Sequence, residues 1–371
     1  MQRRCCLKGK TRVARGEATA FISLKMVNSR PATFRKFQTW RDTNVVAAAY
    51  VAYLLLVLAF AFALHQADVT WWGTVLAFAP RWPLGLPLVA LIPIALARRS
   101  WPLLLVQGLA VLVLLGPVLG LKVSGVVSGC PSKSRGLRVL SCNVGSGKAE
   151  VRLLTDLIAS IAPDVVALQE CPTSVSAEVF DAAWFVEREG QLCVASRFPI
   201  VQHMSIDRRP FGGWGAVALV CRVTTPDGPV DFANVHFTTV RPGLEAVMAR
   251  KLAGAPALQA SIDRRWRESE AVAQLIRSGS EPVVIAGDFN MTEESAIFRT
   301  HWSDYTDAFS AAGLGFGYTK HTDWHGVRID YVLADADFDL DCCWVGDDVG
   351  SDHLPVVAEM RRVASSVDRM P

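Results

Sequence analysis

Eight polar residues occupy a repeated place in the sequence, each at the border of a short apolar run. Asn143 follows LRVLSC, Glu170 follows DVVALQ, His236 follows DFANV, and Asp288 and Asn290 follow PVVIAG. Asp330 lies in IDYVLA, and Asp352 and His353 precede LPVVAEM. Carboxylates, amides and imidazoles bind hard metal ions and phosphate oxygens. Alone, each reads as an ordinary turn residue, because Asp and Asn favour turns. Eight at strand ends point elsewhere: short loops on a rigid sheet hold such groups still, so several converge on one concave site. The spacing of Asp288 and Asn290 adds direction, since residues i and i+2 of a strand face the same way.

The elements that carry these residues read clearly. Residues 137–144 alternate with period two and predict a strand ending at Asn143. Residues 150–161 place Val151, Leu154, Leu157, Ile158 and Ile161 at helical spacing and stop before Pro163. Further strands are expected in DVVALQE, GQLCVASR, AVALVCRV, VDFANVHF, PVVIAGDF, IDYVLA and LPVVAEM. Short strands interleaved with helices over 137–361 predict an α/β domain.

In order, Ser141-Cys142-Asn143-Val144, Leu168-Gln169-Glu170, Ala233-Asn234-Val235-His236, Gly287-Asp288-Phe289-Asn290, Arg328-Ile329-Asp330-Tyr331 and Ser351-Asp352-His353-Leu354-Pro355 resemble the blocks of the endonuclease/exonuclease/phosphatase superfamily of metal-dependent phosphoesterases. The resemblance spans nearly all of 137–361 and implies a four-layer α-β-β-α sandwich of two packed mixed sheets. It also implies Mg²⁺, with Mn²⁺ as a substitute, held by Glu170 with Asn143 assisting and Asp352 as a second acidic contact. Asp288 would orient and deprotonate the attacking water, and Asn290 would hold the water or a phosphoryl oxygen. Asp330 would fix the tautomer of His353, which donates to the phosphate, and His236 would serve as general acid or phosphate donor. Some nuclease members pair the histidine at the His236 position with a glutamate. Only Glu187 and Glu189 stand nearby as candidates, and that pair stays unassigned. The implied reaction is single-step attack of water on a phosphoester; the alternative is an inactive membrane-tethered binding module that keeps the fold.

The rest of the chain is of other material. Residues 1–42 carry 11 Lys and Arg against 2 acids, whereas residues 122–371 carry 24 against 32. The first segment is expected to be a disordered cytoplasmic tail and the last an acidic globular part. Between them, 43–64 holds 22 uncharged residues, long enough to cross a hydrocarbon layer of about 30 Å. A second span is expected over 103–121, with Pro117 as a kink, and a shorter one over 82–97, flanked by Trp82 and Trp101, with Trp71 to Ala79 as an interfacial or re-entrant turn. The basic tail and Arg98-Arg99 both favour the cytoplasm, which three crossings satisfy. The catalytic part would then lie outside a cell or inner membrane, in the periplasm or beyond. Residues 122–136 read as a linker and 362–371 as a tail. The nine cysteines include no CxxC pair, which disfavours structural zinc.

Substrate identity is left open between lipid head groups, nucleic acid and small phosphodiesters. A nuclease normally presents a basic surface; here basic residues gather mainly at Arg208-Arg209 and in 241–267, where a helical arm could cover the site.

Overall fold

Alternation decides which way each strand faces, and two sheets result. The structure, a computed structural model, describes residues 32–124, 136–322 and 324–363. The chain divides after Ala48, and everything from Ala49 onward belongs to one compact unit. The first six-stranded sheet contains β1 (Leu137–Asn143), β2 (Val165–Gln169), β3 (Phe185–Glu189) and β4 (Leu192–Ser196). The second opens with β5 (Ile200–Asp207), β6 (Ala216–Thr225), β7 (Gly228–His236) and β8 (Val283–Asp288). It is completed by β9 (Thr306–Asp307) and β10 (Asp330–Ala334), while β11 (Phe338–Val345) and β12 (Val356–Arg362) return to the first sheet. The strand orders are β11-β12-β1-β2-β4-β3 and β9-β10-β8-β7-β6-β5. Each sheet holds one parallel pair, β1 with β2 and β7 with β8, so both are mixed, as expected.

Val139, Val165, Ala167, Val194, Phe232, Val284 and Ala286 point between the sheets. Their neighbours Leu140, Cys142, Val166 and Leu168 point outward, against Leu154, Leu157 and Ile158 of α5 (Val151–Ile161). Val283 and Ile285 pack outward against Val272 of α8 (Ala255–Arg277) and Ile297 of α9 (Ala296–His301). These layers form the expected α-β-β-α sandwich.

Two motif residues serve this packing rather than chemistry. Gln169 Nε2 donates to Asn234 Oδ1 at 2.8 Å, and Asn234 Nδ2 donates to the carbonyls of Leu168 and Cys193, both at 2.9 Å. This amide tie joins the sheets below the strand ends and is fully buried. Asn234→Ala would strand these partners, and we expect a loss of about 1–3 kcal/mol in denaturant unfolding. An unchanged midpoint would remove the amide from the account of the fold.

Before the sandwich, α1 (Ala32–Leu64) and the short α2 (Trp71–Phe78) are followed by a 3₁₀ turn at Trp82–Gly85 and α3 (Leu86–Ala97). Then comes α4 (Trp101–Val113) with a π turn at Leu114–Val118. Asn44–Leu64 and Trp101–Val118 are long and apolar enough to cross a membrane; α2 with Trp82–Ala97, bent by 70°, makes a third if counted as one span. The π turn contains Pro117, whose missing N–H and bulky ring disfavour a regular α turn.

Four boundaries differ from expectation, the first being that of the last apolar span, which runs Trp101–Val118 rather than 103–121. No Gly or Pro interrupts 32–64, and α1 accordingly begins at Ala32, within the stretch expected to be a disordered tail; residues 1–31 lie outside those described. The expected linker is ordered at its start, where Lys122–Val123 pairs antiparallel with Leu314–Gly315; residues 125–135 lie outside those described. The final strand reaches Arg362, inside the expected tail, because Phe338 pairs with that residue.

The N-terminal helices are joined to the sandwich by polar contacts. Arg81 donates to Glu294 Oε1 at 2.5 Å and to the Val118 carbonyl at 2.9 Å. Tyr318 Oη donates to Leu119 O at 2.9 Å. Asp68, in the loop between α1 and α2, is 2% exposed. It accepts from Ser295 Oγ at 2.5 Å and pairs with the buried guanidinium of Arg265, while Trp266 Nε1 donates to its carbonyl at 2.8 Å.

Candidate active site

The site forms where strands of both sheets end together. Asn143 closes β1, Glu170 follows β2, His236 closes β7 and Asp288 closes β8, while Asp330 opens the antiparallel β10. His236 and Asp288 are paired residues of neighbouring strands, as are Asp288 and Asp330. Antiparallel pairing therefore brings the start of β10 to the same edge as the end of β8.

At the centre, Asn143 Nδ2 donates to Asp288 Oδ2 at 3.0 Å and to Glu170 Oε1 at 3.3 Å. Its own oxygen accepts from Gly145 N at 2.9 Å. Asn143 thus sits as a buried donor between two carboxylates. His236 Nε2 lies 3.7 Å from Asp288 Oδ2 and 3.8 Å from Glu170 Oε1, and His353 Nε2 lies 3.7 Å from Asp288 Oδ2. Nδ1 of His353 faces Asp330 Oδ2 at 2.9 Å, which orients the ring. The structure brings all these residues together. Glu170 and Asp288 face the His236 ring at 3.8 and 3.7 Å, beyond hydrogen-bond distance, and Glu187 instead faces His203 at 3.4 Å.

Asn290 turns back on the same cluster. Its backbone N–H donates to Asp288 Oδ1 at 2.8 Å, and its Nδ2 reaches Phe237 O at 3.0 Å and Asp288 Oδ2 at 3.2 Å. Its φ of 51° is left-handed, a conformation Asn tolerates; Glu170, at 49°, is a less ordinary occupant. Gly287, the penultimate residue of β8, could bear no side chain, because a Cβ would fall 2.0 Å from the Val235 carbonyl oxygen.

Asp352 stands in the same cavity, bound by Lys320 Nζ at 2.5 Å and Lys148 Nζ at 3.6 Å. Sequence reasoning missed both lysines, and nothing around Lys320 marks it. It also missed Ser146, whose Oγ donates to Glu170 Oε2 at 2.8 Å. Of the noted arginine pair, Arg208 lines the cavity and donates to the His236 carbonyl, whereas Arg209 is bound to Asp207 at the surface. The helical arm divides similarly: α7 (Arg241–Arg250) lines the cavity and α8 packs behind it.

The electrostatics sort these groups. Burial, then the Asp330 charge, raises the Asp288 pKa above the usual carboxylate value. For Glu170 burial also acts upward, but hydrogen bonds from Ser146 and Asn143 and the nearby imidazoles outweigh it and the net direction is down. Burial pushes the His236 imidazole down. In His353 burial is overcome by Asp330 and Asp288, and the pKa rises to about 9.

Asp288, Asp330 and His353 each offer a ligand atom within 4.8 Å of one another. Asp330 is engaged by His353, and Glu170, Asp288 and Asp352 contribute the carboxylates that line the cavity. Buried carboxylates repelling one another in a cavity lined by no described cysteine form a hard-oxygen set that fits a divalent cation of the Mg²⁺ type.

Two mixed sheets in a four-layer sandwich, with acids, amides and imidazoles converging at the strand ends, define a hydrolase fold of the phosphoesterase type. The chain belongs to the endonuclease/exonuclease/phosphatase family, whose sequence pattern matches residues 140–353. Among solved structures it is similar to a humanized D. rerio TDP2 carrying 14 mutations, with 17% identity, a TM-score of 0.49, and coverage of 62% of this chain and 100% of that one. It is also similar to the endonuclease/exonuclease/phosphatase from Bacteroides vulgatus, with 15% identity, a TM-score of 0.48, and coverage of 62% and 100%. For a Bacteroides thetaiotaomicron mannosyl-6-phosphatase the figures are 14%, 0.44, 60% and 99%. No curated protein matches the chain significantly.

Proposed function

We propose that the protein is a membrane-anchored, divalent-metal-dependent phosphoester hydrolase whose catalytic domain lies on the outer face of the membrane. The observation that carries the chemistry is the convergence of Glu170, His236, Asp288 and His353 within hydrogen-bonding or ion-pair range of Asp288 or Asn143. Glu170 and Asp352 would hold Mg²⁺ or Mn²⁺, with Asn143 fixing the orientation of Glu170. The bound ion would neutralise charge on the phosphoryl oxygens. Asp288, its basicity raised by burial and by Asp330, accepts the proton of the attacking water, and Asn290 holds that water in line. His353 is protonated at neutral pH and donates to a phosphoryl oxygen as charge develops. His236, neutral in its buried setting, supplies a hydrogen bond on the side of Glu170.

The anchoring rests on the contacts of α1 to α4. Leu64 ends α1 just before the Asp68 loop that binds Arg265, Arg81 immediately precedes the 3₁₀ turn leading into α3, and Val118 ends the last span. These three ends meet the sandwich on one side, so Arg98-Arg99 between α3 and α4 falls on the other. Three crossings with basic residues inside then leave the catalytic domain outside. Cys342 is disulfide-bonded, which suits an oxidising compartment.

The test uses the full chain in nanodiscs with bis-p-nitrophenyl phosphate. Hydrolysis is expected with Mg²⁺, to fall to background in EDTA and to return when Mg²⁺ or Mn²⁺ is added in excess. Turnover indifferent to EDTA, or none with either metal, would overturn the reading.

A further inference from the structure

The cavity above the site, about 550 Å³, has two kinds of wall. Its floor is the charged cluster. One side is apolar, built from Leu244 and Met248 of α7, Val240, Val327 and Ile329, and it includes Phe78. Phe78 belongs to the membrane portion: it is the last residue of α2, four residues before the turn that leads into α3. Its position is fixed by the sandwich, because the His325 ring nitrogen meets the Phe78 carbonyl at 2.8 Å and Trp82 Nε1 donates to Trp324 O at 3.1 Å. The mouth of the cavity therefore opens beside the point where a span begins.

Large apolar side chains stay uncovered around this edge. Met248 is 69% exposed, Trp324 76% and Trp82 49%. Tryptophan at such a height marks the level of lipid head groups, and a scatter of exposed apolar groups gathered at one edge suits a lipid surface. The opposite expectation, a basic track for a polyanion, is not met. Residues 122–371 carry more acids than bases, and each Lys and Arg lining the cavity faces a carboxylate: Lys148 and Lys320 face Asp352, Arg208 faces Glu268 and Arg241 faces Glu245.

From this juxtaposition of a charged phosphate-handling floor with an apolar wall supplied in part by the membrane portion, we infer that the phosphoester substrate is an amphiphile resident in the same membrane. Its phosphate reaches the Asp288 floor while its apolar part lies along Phe78, Leu244 and Met248. The inference rests on the hydrolase reading and narrows it to one substrate class. Interactions with the apolar part lie away from the reacting centre, and their binding energy helps hold the phosphate in place.

The experiment compares three substrates at equal phosphorus, using the full chain in nanodiscs with Mg²⁺ and phosphorus NMR of the products. The first is a bacterial polar lipid extract that forms the nanodisc bilayer itself, the second the same extract deacylated by mild alkali and added in solution, and the third a single-stranded DNA oligonucleotide. The intact lipids are expected to be cleaved at least about tenfold faster than their deacylated head groups. Leu244→Asp is expected to pull that ratio towards one, and because the ratio is internal, partial misfolding does not mimic the effect. Equal rates for intact and deacylated lipid, or faster cleavage of the oligonucleotide, would overturn the inference while leaving the hydrolase intact. Failure to cleave these three and bis-p-nitrophenyl phosphate would overturn both.

Discussion

Asp288→Asn is expected to lower metal-dependent hydrolysis by about 10²- to 10⁴-fold while leaving the folded protein as stable as before, or more so. Asp288 is 1% exposed, and burial together with the charge of Asp330 makes its ionised form unfavourable. An acid whose pKa is raised on folding opposes the folded state wherever it is ionised, so removing the charge relieves the fold at neutral pH. The amide keeps the shape and its oxygen can still accept from the Asn290 N–H, which now donates to Asp288 Oδ1; its NH₂ replaces the Oδ2 that accepts from Asn143 and Asn290 Nδ2, a loss that the relief of charge offsets. It cannot take a proton from water. Hydrolysis of bis-p-nitrophenyl phosphate and thermal melting of the same sample test both halves. Retained turnover would remove Asp288 as the base; a large fall in melting temperature would show its charge to be structural.

Asp68→Ala is expected to cost about 3–5 kcal/mol of stability and to impair hydrolysis, although Asp68 sits in the loop between the N-terminal helices α1 and α2. Arg265 is fully buried, and its guanidinium is shared between Asp68 and the carbonyl of Asn290. Removing the carboxylate leaves a cation in a site whose burial already pushes the Arg265 pKa down. The same change takes the partner from Ser295 Oγ at the start of α9. Because Arg265 also holds the turn carrying Asn290, displacement should reach the catalytic edge, where small misplacements are costly. The double substitution Asp68→Leu with Arg265→Met should recover most of the stability, since an apolar pair of similar volume can replace a buried ion pair. Denaturant unfolding in detergent reads both variants. An Asp68→Ala protein as stable as the parent would show that the ion pair contributes nothing.

Most of the catalytic edge could be read from residue order because it obeys local rules. A period-two strand ending in a polar residue fixes both where the strand stops and which way that residue faces, which is why Asn143, His236 and Asp288 were legible. The two packed sheets were legible through the family pattern. The edge strands β3 and β5 were not: FVERE and IVQHMSID are largely exposed, so their alternation carries little apolar contrast. Lys320 was invisible for another reason. It acquires its role through an isolated bridge to His353 and an ion pair with Asp352, both long-range contacts with no local trace. Asp68 is the clearest case, since an acid between two apolar helices reads as a loop residue until Arg265, nearly two hundred positions later, is seen to complete it.

The short pairing of Lys122–Val123 with Leu314–Gly315, with Tyr318 bonded to the carbonyl of Leu119, leaves no slack between the last span and the domain it carries. A head tethered by a loose leash would sweep a volume of solvent; under the proposed anchoring, one seated like this would keep a constant altitude above the lipid plane, and its encounters with a membrane-resident target would be governed by lateral diffusion, counted per unit area rather than per litre.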